Sequence, residues 1–219
     1  MFDDVLAATA DELLETDNTT QEDLVLNESS GNEHPLGAPW TIWYGVAPVV
    51  KKAQDGAHPP AAGAWEDALL PVKDFDTVEG FWWSFREIKI PTQMDVGASY
   101  HCFKDAVKPM WEDDANRHGG KWSWSLPLQD VLRVDKDWER LVMAAVGGSL
   151  EDGSKAGDVV GVAYGKRKVG YKLSVWTKDK NNTASLKALA KKIREVLKLP
   201  PEVVLVYTAH DSNDGILKA

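Results

Sequence analysis

The sequence predicts an α+β domain with a curved, mostly antiparallel β-sheet and about three helices packed on one of its faces. Short segments rich in β-branched and aromatic residues are joined by turns rich in Gly, Pro and Asn. Segments with apolar residues at helical spacing separate groups of these strands. Helices over one face of such a sheet leave the other face or an edge for loops.

Negative charge is concentrated at the beginning of the chain. The 219 residues carry a formal net charge of −9, and residues 1–33 alone contain ten acidic residues and no Lys or Arg. We predict a mostly disordered arm at 1–33, either a solubilising tail or a segment that becomes helical on a partner. Residues 34–210 are then one folded domain and 211–219 a C-terminal tail. The net charge disfavours a protein that coats nucleic acid through non-specific phosphate contacts, and the chain after residue 33 is nearly neutral.

The first predicted strand comprises residues 39–46, whose β-branched and aromatic content is typical of a strand buried on both faces. A loop at 47–63, rich in Pro, Gly and Lys, separates it from Trp65. Connections of this length are usually functional or mobile.

The first predicted helix begins at Asp76. Asp76 and Glu79 have the spacing of a capping box, and apolar residues recur at helical intervals after them. Trp82 and Trp83 are adjacent, so they point about 100° apart on a helix. One of them can therefore be buried while the other reaches the surface.

Two further strands are predicted at residues 100–107 and 121–126. The second alternates polar and apolar residues, which places its two Trp residues on one face. The segment between the strands is rich in Asp, Asn and Gly and carries Trp111, so we predict a loop. Gly119 and Gly120 indicate that this loop turns into a hairpin.

The second half of the chain is predicted to alternate helices and strands. In chain order these are helix 135–146, strands 158–165 and 170–177, helix 182–199 and strand 202–208. A basic turn joins the two middle strands, and alternation places Lys172 and Trp176 on one face of the second. The last helix has an apolar stripe and a basic face, which is most simply explained by solvation.

Several classes of chemistry lack their signatures. The sequence contains no GxxxxGK[ST], GxSxG or HExxH motif and no GxGxxG after a strand. The five His residues are not closely paired and Cys102 is the only cysteine, so we predict no metal, cofactor or disulfide. No apolar run approaches 18 residues. We expect a soluble intracellular protein that is not an enzyme.

The most informative stretch is the loop between the two central strands, where Trp111 is followed directly by Glu112. An aromatic ring beside a carboxylate can bind a flat, positively charged ring, although a single loop Trp is more often a lid over the core. Separated blocks accompany this pair: His34-Pro35-Leu36 with Trp40 and Trp43, Phe75-Asp76-Thr77-Val78-Glu79 with Phe81-Trp82, Lys104-Asp105, Gly119-Gly120-Lys121-Trp122 and Val175-Trp176-Thr177. In this order, the blocks resemble the messenger-RNA cap-binding translation initiation factor 4E family over residues 34–210.

The resemblance implies a site for the 7-methylguanosine cap. Its residues would be Trp65, Trp111, Glu112, Arg167, Lys172 and Trp176. The first two Trp residues would stack on the positively charged methylated base, and the last would touch the methyl group. Glu would accept two hydrogen bonds from guanine, while Arg and Lys would bind the phosphates. If the match to the family were shifted by one residue within Lys166-Arg167-Lys168, the role given to Arg167 would pass to a neighbouring Lys.

The resemblance also implies a helical surface, around Trp82, that binds scaffold or repressor proteins. The matching positions are His34, Pro35, Val78, Trp82, Glu139, Arg140 and Met143. Trp82 would be an exposed aromatic anchor. Glu139 and Arg140 depart from the family pattern of an apolar residue followed by an acid. A basic residue there should repel an Arg-bearing peptide.

We therefore expect a monomeric cap reader that recruits messages for translation in the cytoplasm, with the nucleus as a second location. One alternative is a cap-binding repressor or specialised paralogue that does not recruit the usual scaffold. Another is a protein-interaction adaptor, or an unrecognised enzyme, with a vestigial cap pocket. The long loop at 47–63 could contact further nucleotides or a more heavily methylated cap.

Overall fold

A computed structural model describes residues 33–46, 69–104, 107–151, 158–212 and 215–219. The chain divides into two units, Met1–His34 and Pro35–Ala219. Glu33 and His34 are the described residues of the first unit. The loop at 47–63, Trp65 and nearly all of the predicted arm lie outside the described residues. The division into arm, domain and tail therefore stays a prediction.

In its described residues, the unit Pro35–Ala219 contains eight strands and three α-helices. They are β1 (Pro35–Val46), β2 (Leu69–Thr77), α1 (Val78–Glu87), a 3-10 turn (Pro91–Gln93), β3 (Ala98–Lys104), β4 (Gly120–Leu126), α2 (Val131–Val146), β5 (Val159–Arg167), β6 (Gly170–Thr177), α3 (Thr183–Leu197), β7 (Val206–Ala209) and β8 (Gly215–Lys218). The strands form one curved antiparallel sheet in the order β2-β1-β3-β5-β6-β4-β7-β8. The predicted fold class is confirmed.

One face of the sheet packs against the helices. Tyr100 of β3 stacks on Trp138 of α2, with ring centroids 6.5 Å apart. Trp122 of β4 donates its indole N–H to the carbonyl oxygen of Leu186 in α3 at 3.0 Å. The apolar stripe predicted for α3 is buried in this core. Because side chains alternate along a strand, the residues between these core positions face the opposite side of the sheet.

The predicted hairpin between the third and fourth strands is wrong. β3 pairs with β1 and β5, whereas β4 pairs with β6 and β7. The loop between β3 and β4 therefore connects strands that are not neighbours. A Cβ atom built on Gly119 would lie 1.8 Å from the carbonyl oxygen of Thr177. The glycine is needed for this close approach of two backbones, not for a hairpin turn.

Helix α1 begins one residue later than the capping-box pattern predicts. Thr77 is the N-cap, and its Oγ1 accepts a hydrogen bond from the backbone N–H of Gly80 at 3.1 Å. Asp76 belongs to β2 and does not cap the helix. The adjacent Trp residues separate as expected: Trp82 packs partly buried against the core, whereas Trp83 is 63% exposed.

The C-terminal residues continue the sheet. The segment 211–219, predicted as a tail, contains β8, which pairs with β7. Leu205 and Ala219 exchange two backbone hydrogen bonds, at 2.9 and 3.0 Å. A strand of four residues is too short to be recognised from alternation alone. None of the described helices is long and apolar enough to cross a membrane.

Candidate functional site

A cavity of about 270 Å³ opens on the face of the sheet that the three described helices leave uncovered. Four of the predicted ligand-binding residues line it: Trp111, Glu112, Arg167 and Trp176. Lys172 is exposed and lies on the same face of β6 as Trp176, but it does not line the cavity. The structure therefore brings together four positions that span more than sixty residues of sequence.

Trp111 lies on a loop whose shape is held by hydrogen bonds between its own side chains and its backbone. Asn116 is fully buried, and its Nδ2 donates to two carbonyl oxygens of the loop, those of Lys108 and Met110, both at 2.8 Å. The carboxylate of Asp113 accepts two backbone N–H groups of the same loop, at 3.1 and 2.9 Å. These bonds support the loop from within. Trp111 itself remains 57% exposed at the cavity and is not a lid over the core.

Glu112 is the acceptor of the cavity. Its side chain is exposed next to Trp111, and none of the described residues donates a hydrogen bond to it. By contrast, the neighbouring Asp113 is committed to the loop backbone. Of these two adjacent carboxylates, Glu112 is therefore the one available to a ligand.

Trp176 lies deeper in the cavity and is only 6% exposed. It contacts Phe103 edge to face, with ring centroids 5.3 Å apart, and packs on His210 at 4.3 Å. Lys121 lies directly opposite on β4, with its Nζ 4.8 Å from the Trp176 ring centroid. This is the geometry of a cation–π contact. Lys121 was not predicted as a site residue, because its neighbour is known only once β4 and β6 are seen to pair.

Three cations, Lys121, Arg167 and Lys172, share this face of the sheet. Burial, followed by the positive charges of Lys172 and Arg167, lowers the pKa of Lys121 to about 8. Charges close enough to lower the pKa of Lys121 are also close enough to act with it on one anion. The uncovered face is therefore suited to a ligand that carries phosphates.

The register of β5 separates the three consecutive basic residues of the turn. Arg167 lines the cavity. Lys166 faces the other side of the sheet, where its Nζ donates to the carbonyl oxygens of Thr92 and Met94 at 2.9 and 2.8 Å. Lys168 lies exposed in the turn to β6. Arg167 is thus the member of the three that faces the cavity.

Two histidines near the cavity are neutral at physiological pH. Nε2 of His101 lies 3.0 Å from the hydroxyl of Ser99, which donates to the carbonyl oxygen of Gly45 at 3.3 Å. Burial, followed by the charges of Lys121 and Arg167, lowers the pKa of His101 to about 3. Burial and Lys121 likewise lower the pKa of His210 to about 4. In the described part of the chain, no group of three or more His, Cys, Asp or Glu could hold a metal ion.

The profile of a known family, described as Eukaryotic initiation factor 4E, matches residues 35–215. The chain belongs to the eukaryotic initiation factor 4E family. It is 34% identical to the eukaryotic translation initiation factor 4E of Saccharomyces cerevisiae over 201 residues, which is 91% of this chain and 88% of that protein. It is 32% identical to the Candida albicans protein of the same name over 189 residues, or 85% and 84% of the two chains.

Solved structures of the 4E family share the fold. Ascaris suum eIF4E-3 in complex with the m2,2,7G cap matches with a TM-score of 0.73 and 29% identity, covering 85% of this chain and 98% of that chain. Caenorhabditis elegans eIF4E-3 in complex with the 4E-binding protein Mextli matches with a TM-score of 0.74 and 30% identity, covering 85% and 99%. The resemblance seen in the sequence is confirmed, and membership in an initiation factor family agrees with a protein that is not an enzyme.

The second surface predicted for a 4E-family protein lies on α1 and α2. Trp82 and Glu139 line the same groove, of about 420 Å³, between these helices. Trp82 is a partly buried wall of the groove and not the exposed anchor that we predicted, because it packs against Phe81 at 4.9 Å. The remaining predicted positions are exposed or partly buried: Pro35, Val78, Arg140 and Met143. His34, in the other unit, is exposed.

Proposed function

We propose that this member of the 4E family binds the 7-methylguanosine cap of messenger RNA and brings capped messages to translation initiation. The observation that carries the proposal is that Trp111, Glu112 and Arg167 line one cavity. An aromatic plate, a free acceptor and a cation are the groups that a methylated guanine nucleotide requires. Ascaris suum eIF4E-3, which has the same fold, has been solved with m7G and m2,2,7G caps.

The base would stack on the exposed ring of Trp111. Methylation at N7 gives guanine a delocalised positive charge, so cation–π attraction strengthens the stack. Trp65 would supply the second plate. Leu69 follows Trp65 by four residues and lines the cavity, and a chain of four residues spans at most about 14 Å. Trp176 would contact the methyl group from below.

Glu112 would read the base as guanine. Its carboxylate can accept hydrogen bonds from both the N1–H and the N2–H groups of guanine, a pair that adenine does not offer. Since no described residue donates to Glu112, a ligand displaces none of these residues from it. Stacking would thus sense methylation, and the carboxylate would sense the base.

The phosphates would lie along the cations of the uncovered face. Arg167 lines the cavity. Lys172 lies beside it on the next strand, where it pairs with Gly165, two residues before Arg167. Lys121 is added to the predicted set, because the charges of Arg167 and Lys172 act on it. Each contact between one of these cations and a phosphate is a charge-assisted hydrogen bond.

The deciding experiment is a titration of tryptophan fluorescence with 7-methylguanosine triphosphate and with plain guanosine triphosphate. We expect the methylated nucleotide to bind more tightly, and Trp111→Ala to lose about 1–3 kcal/mol of binding free energy. Trp83→Ala is the matched control, since Trp83 is a similarly exposed indole on α1. Equal quenching by both nucleotides would refute cap reading and favour an adaptor with a vestigial pocket.

A second candidate function is a cap-binding repressor or specialised paralogue that does not recruit the usual scaffold. Arg140 favours it, because this exposed cation on α2 follows Glu139 of the groove and should repel an Arg-bearing peptide. Affinity purification with native protein, Trp82→Ala and Arg140→Glu tests the surface. Trp82→Ala should lose groove partners and Arg140→Glu should gain basic ones. An identical set of partners in all three would refute the groove as a docking site.

A further inference from the structure

The guanidinium of Arg167 lies against Gly165, two residues earlier in β5. A Cβ atom built on Gly165 would come within 2.8 to 2.9 Å of three guanidinium atoms. Gly165 does not have a positive φ, so the glycine provides space here and is not required by the backbone conformation. The crowded atoms are the far end of a flexible side chain. A larger residue at this position would therefore displace the guanidinium and leave the backbone in place.

Lys166 holds the end of β5 from the other face of the sheet. Its ammonium donates to the carbonyl oxygens of Thr92 and Met94 at 2.9 and 2.8 Å. Its own carbonyl oxygen accepts the backbone N–H of Gly97 at 2.9 Å and Nη1 of Arg167 at 3.2 Å. The same residue therefore fixes the strand end and holds the guanidinium that follows it.

The anchor of Lys166 is itself fixed to a helix. The backbone N–H and the hydroxyl of Thr92 donate to the carboxylate of Asp135 in α2, at 3.0 and 2.7 Å. Tyr164 of β5 donates its hydroxyl to the carbonyl oxygen of Pro91 at 3.0 Å. The 3-10 turn is thus held by both the helix and the strand, and it gives Lys166 a rigid pair of acceptors.

We propose that Gly165 and Lys166 are positioning residues for Arg167: the first leaves room for its guanidinium and the second fixes the strand and the carbonyl that hold it. The inference rests on the proposed function, since the ligand of Arg167 is the phosphate chain of the cap. A side chain held in its binding position loses less conformational entropy when the ligand arrives. Lys166 is then not a phosphate ligand, because its ammonium is bound on the opposite face.

The test compares the affinity of the full chain for 7-methylguanosine triphosphate with its affinity for 7-methylguanosine, which has the same base and no phosphate. The variants are Gly165→Ala and Lys166→Met. Lys168→Met is the matched control, because it removes the same charge from the exposed turn of the same hairpin. Lys166→Arg keeps the charge and the donors.

We expect Gly165→Ala and Lys166→Met to weaken binding of the triphosphate about tenfold, or about 1.4 kcal/mol, with nucleoside binding unchanged. Lys168→Met should weaken the triphosphate by less than about threefold, as for an exposed charge. Lys166→Arg should recover part of the loss. A change limited to the triphosphate separates positioning from general damage to the fold.

Thermal unfolding of each variant completes the experiment. Gly165→Ala should keep the melting temperature of the native chain, since only the guanidinium has to move. Native affinity in Gly165→Ala would overturn the role of Gly165, and equal losses in Lys166→Met and Lys168→Met would overturn the role of Lys166. A native chain that does not prefer the methylated nucleotide over guanosine triphosphate would instead overturn the proposed function, and this inference with it.

Discussion

Lys121 of β4 and Trp176 of β6 lie directly opposite each other on paired strands, with the Lys121 ammonium 4.8 Å from the centre of the Trp176 ring. Opposed residues of an antiparallel pair project to the same face of the sheet. Burial and the charges of Lys172 and Arg167 hold the pKa of Lys121 at about 8. This contact joins the apolar floor of the cavity to its cations.

The affinity for a triphosphate ligand should depend on the charge of Lys121. Below a pH of about 8 the ammonium is protonated, and a bound anion favours that form, so binding raises its pKa. The affinity for 7-methylguanosine triphosphate should therefore fall as the pH rises through about 8. Lys121→Arg keeps its charge and should show a shallower decline. Titration of the ligand itself is common to both proteins, so a constant ratio of the two affinities would contradict the prediction.

Asn116 should affect ligand binding without contacting the ligand, because it holds the loop that carries Trp111. Asn116→Ala removes two hydrogen bonds to loop carbonyl oxygens, and each such bond contributes about 0.5–1.5 kcal/mol. We expect weaker binding of both the triphosphate and the nucleoside, together with faster amide hydrogen exchange in the loop. Arg117→Ala, which removes an exposed ion pair with Asp114 in the same loop, should have little effect. Native affinity and exchange in Asn116→Ala would show that the loop holds its shape without this side chain.

The neutral His101 should make the protein less stable in acid. Its pKa is about 3 in the folded chain, against an ordinary value of 6.5. Between these values the unfolded state binds a proton that the folded state does not, so the free energy of unfolding falls as the pH decreases through this window. Urea denaturation at several pH values should show a smaller loss for His101→Gln. Parallel curves for the two proteins would exclude His101 as a cause.

Gly119 should tolerate no side chain. An added Cβ atom would meet the backbone of Thr177, with 1.8 Å to the carbonyl oxygen and 2.8 Å to the carbonyl carbon. Gly119→Ala should therefore lower the free energy of unfolding by about 1–3 kcal/mol. Gly37→Ala is the control, because no atom lies within 4 Å of its added Cβ. Equal denaturation midpoints for the two variants would show that the loop can shift away from β6.

Features that depend on local periodicity were predictable from the sequence. Alternation placed Lys172 and Trp176 on one face of β6, and the pairing of that strand confirms it. The apolar stripe of α3 is buried as its spacing predicts. Trp111 and Glu112 stood out because an aromatic ring beside a carboxylate can bind a flat, positively charged ring, and because the blocks around them resemble the 4E family. Side-chain direction within one helix or strand follows from the backbone geometry of that element alone.

By itself, then, the sequence determined the fold class, the family and the side-chain pairs that lie within single elements. Only the tertiary structure decided that β3 and β4 are not neighbours, that Lys121 lies opposite Trp176, and that Arg167, not Lys166, faces the cavity. It also decided that Trp82 is a groove wall while Trp83 is exposed. Each of these depends on which distant segment packs alongside, and the free energy that selects a neighbour comes from burying the whole core, not from any local pattern.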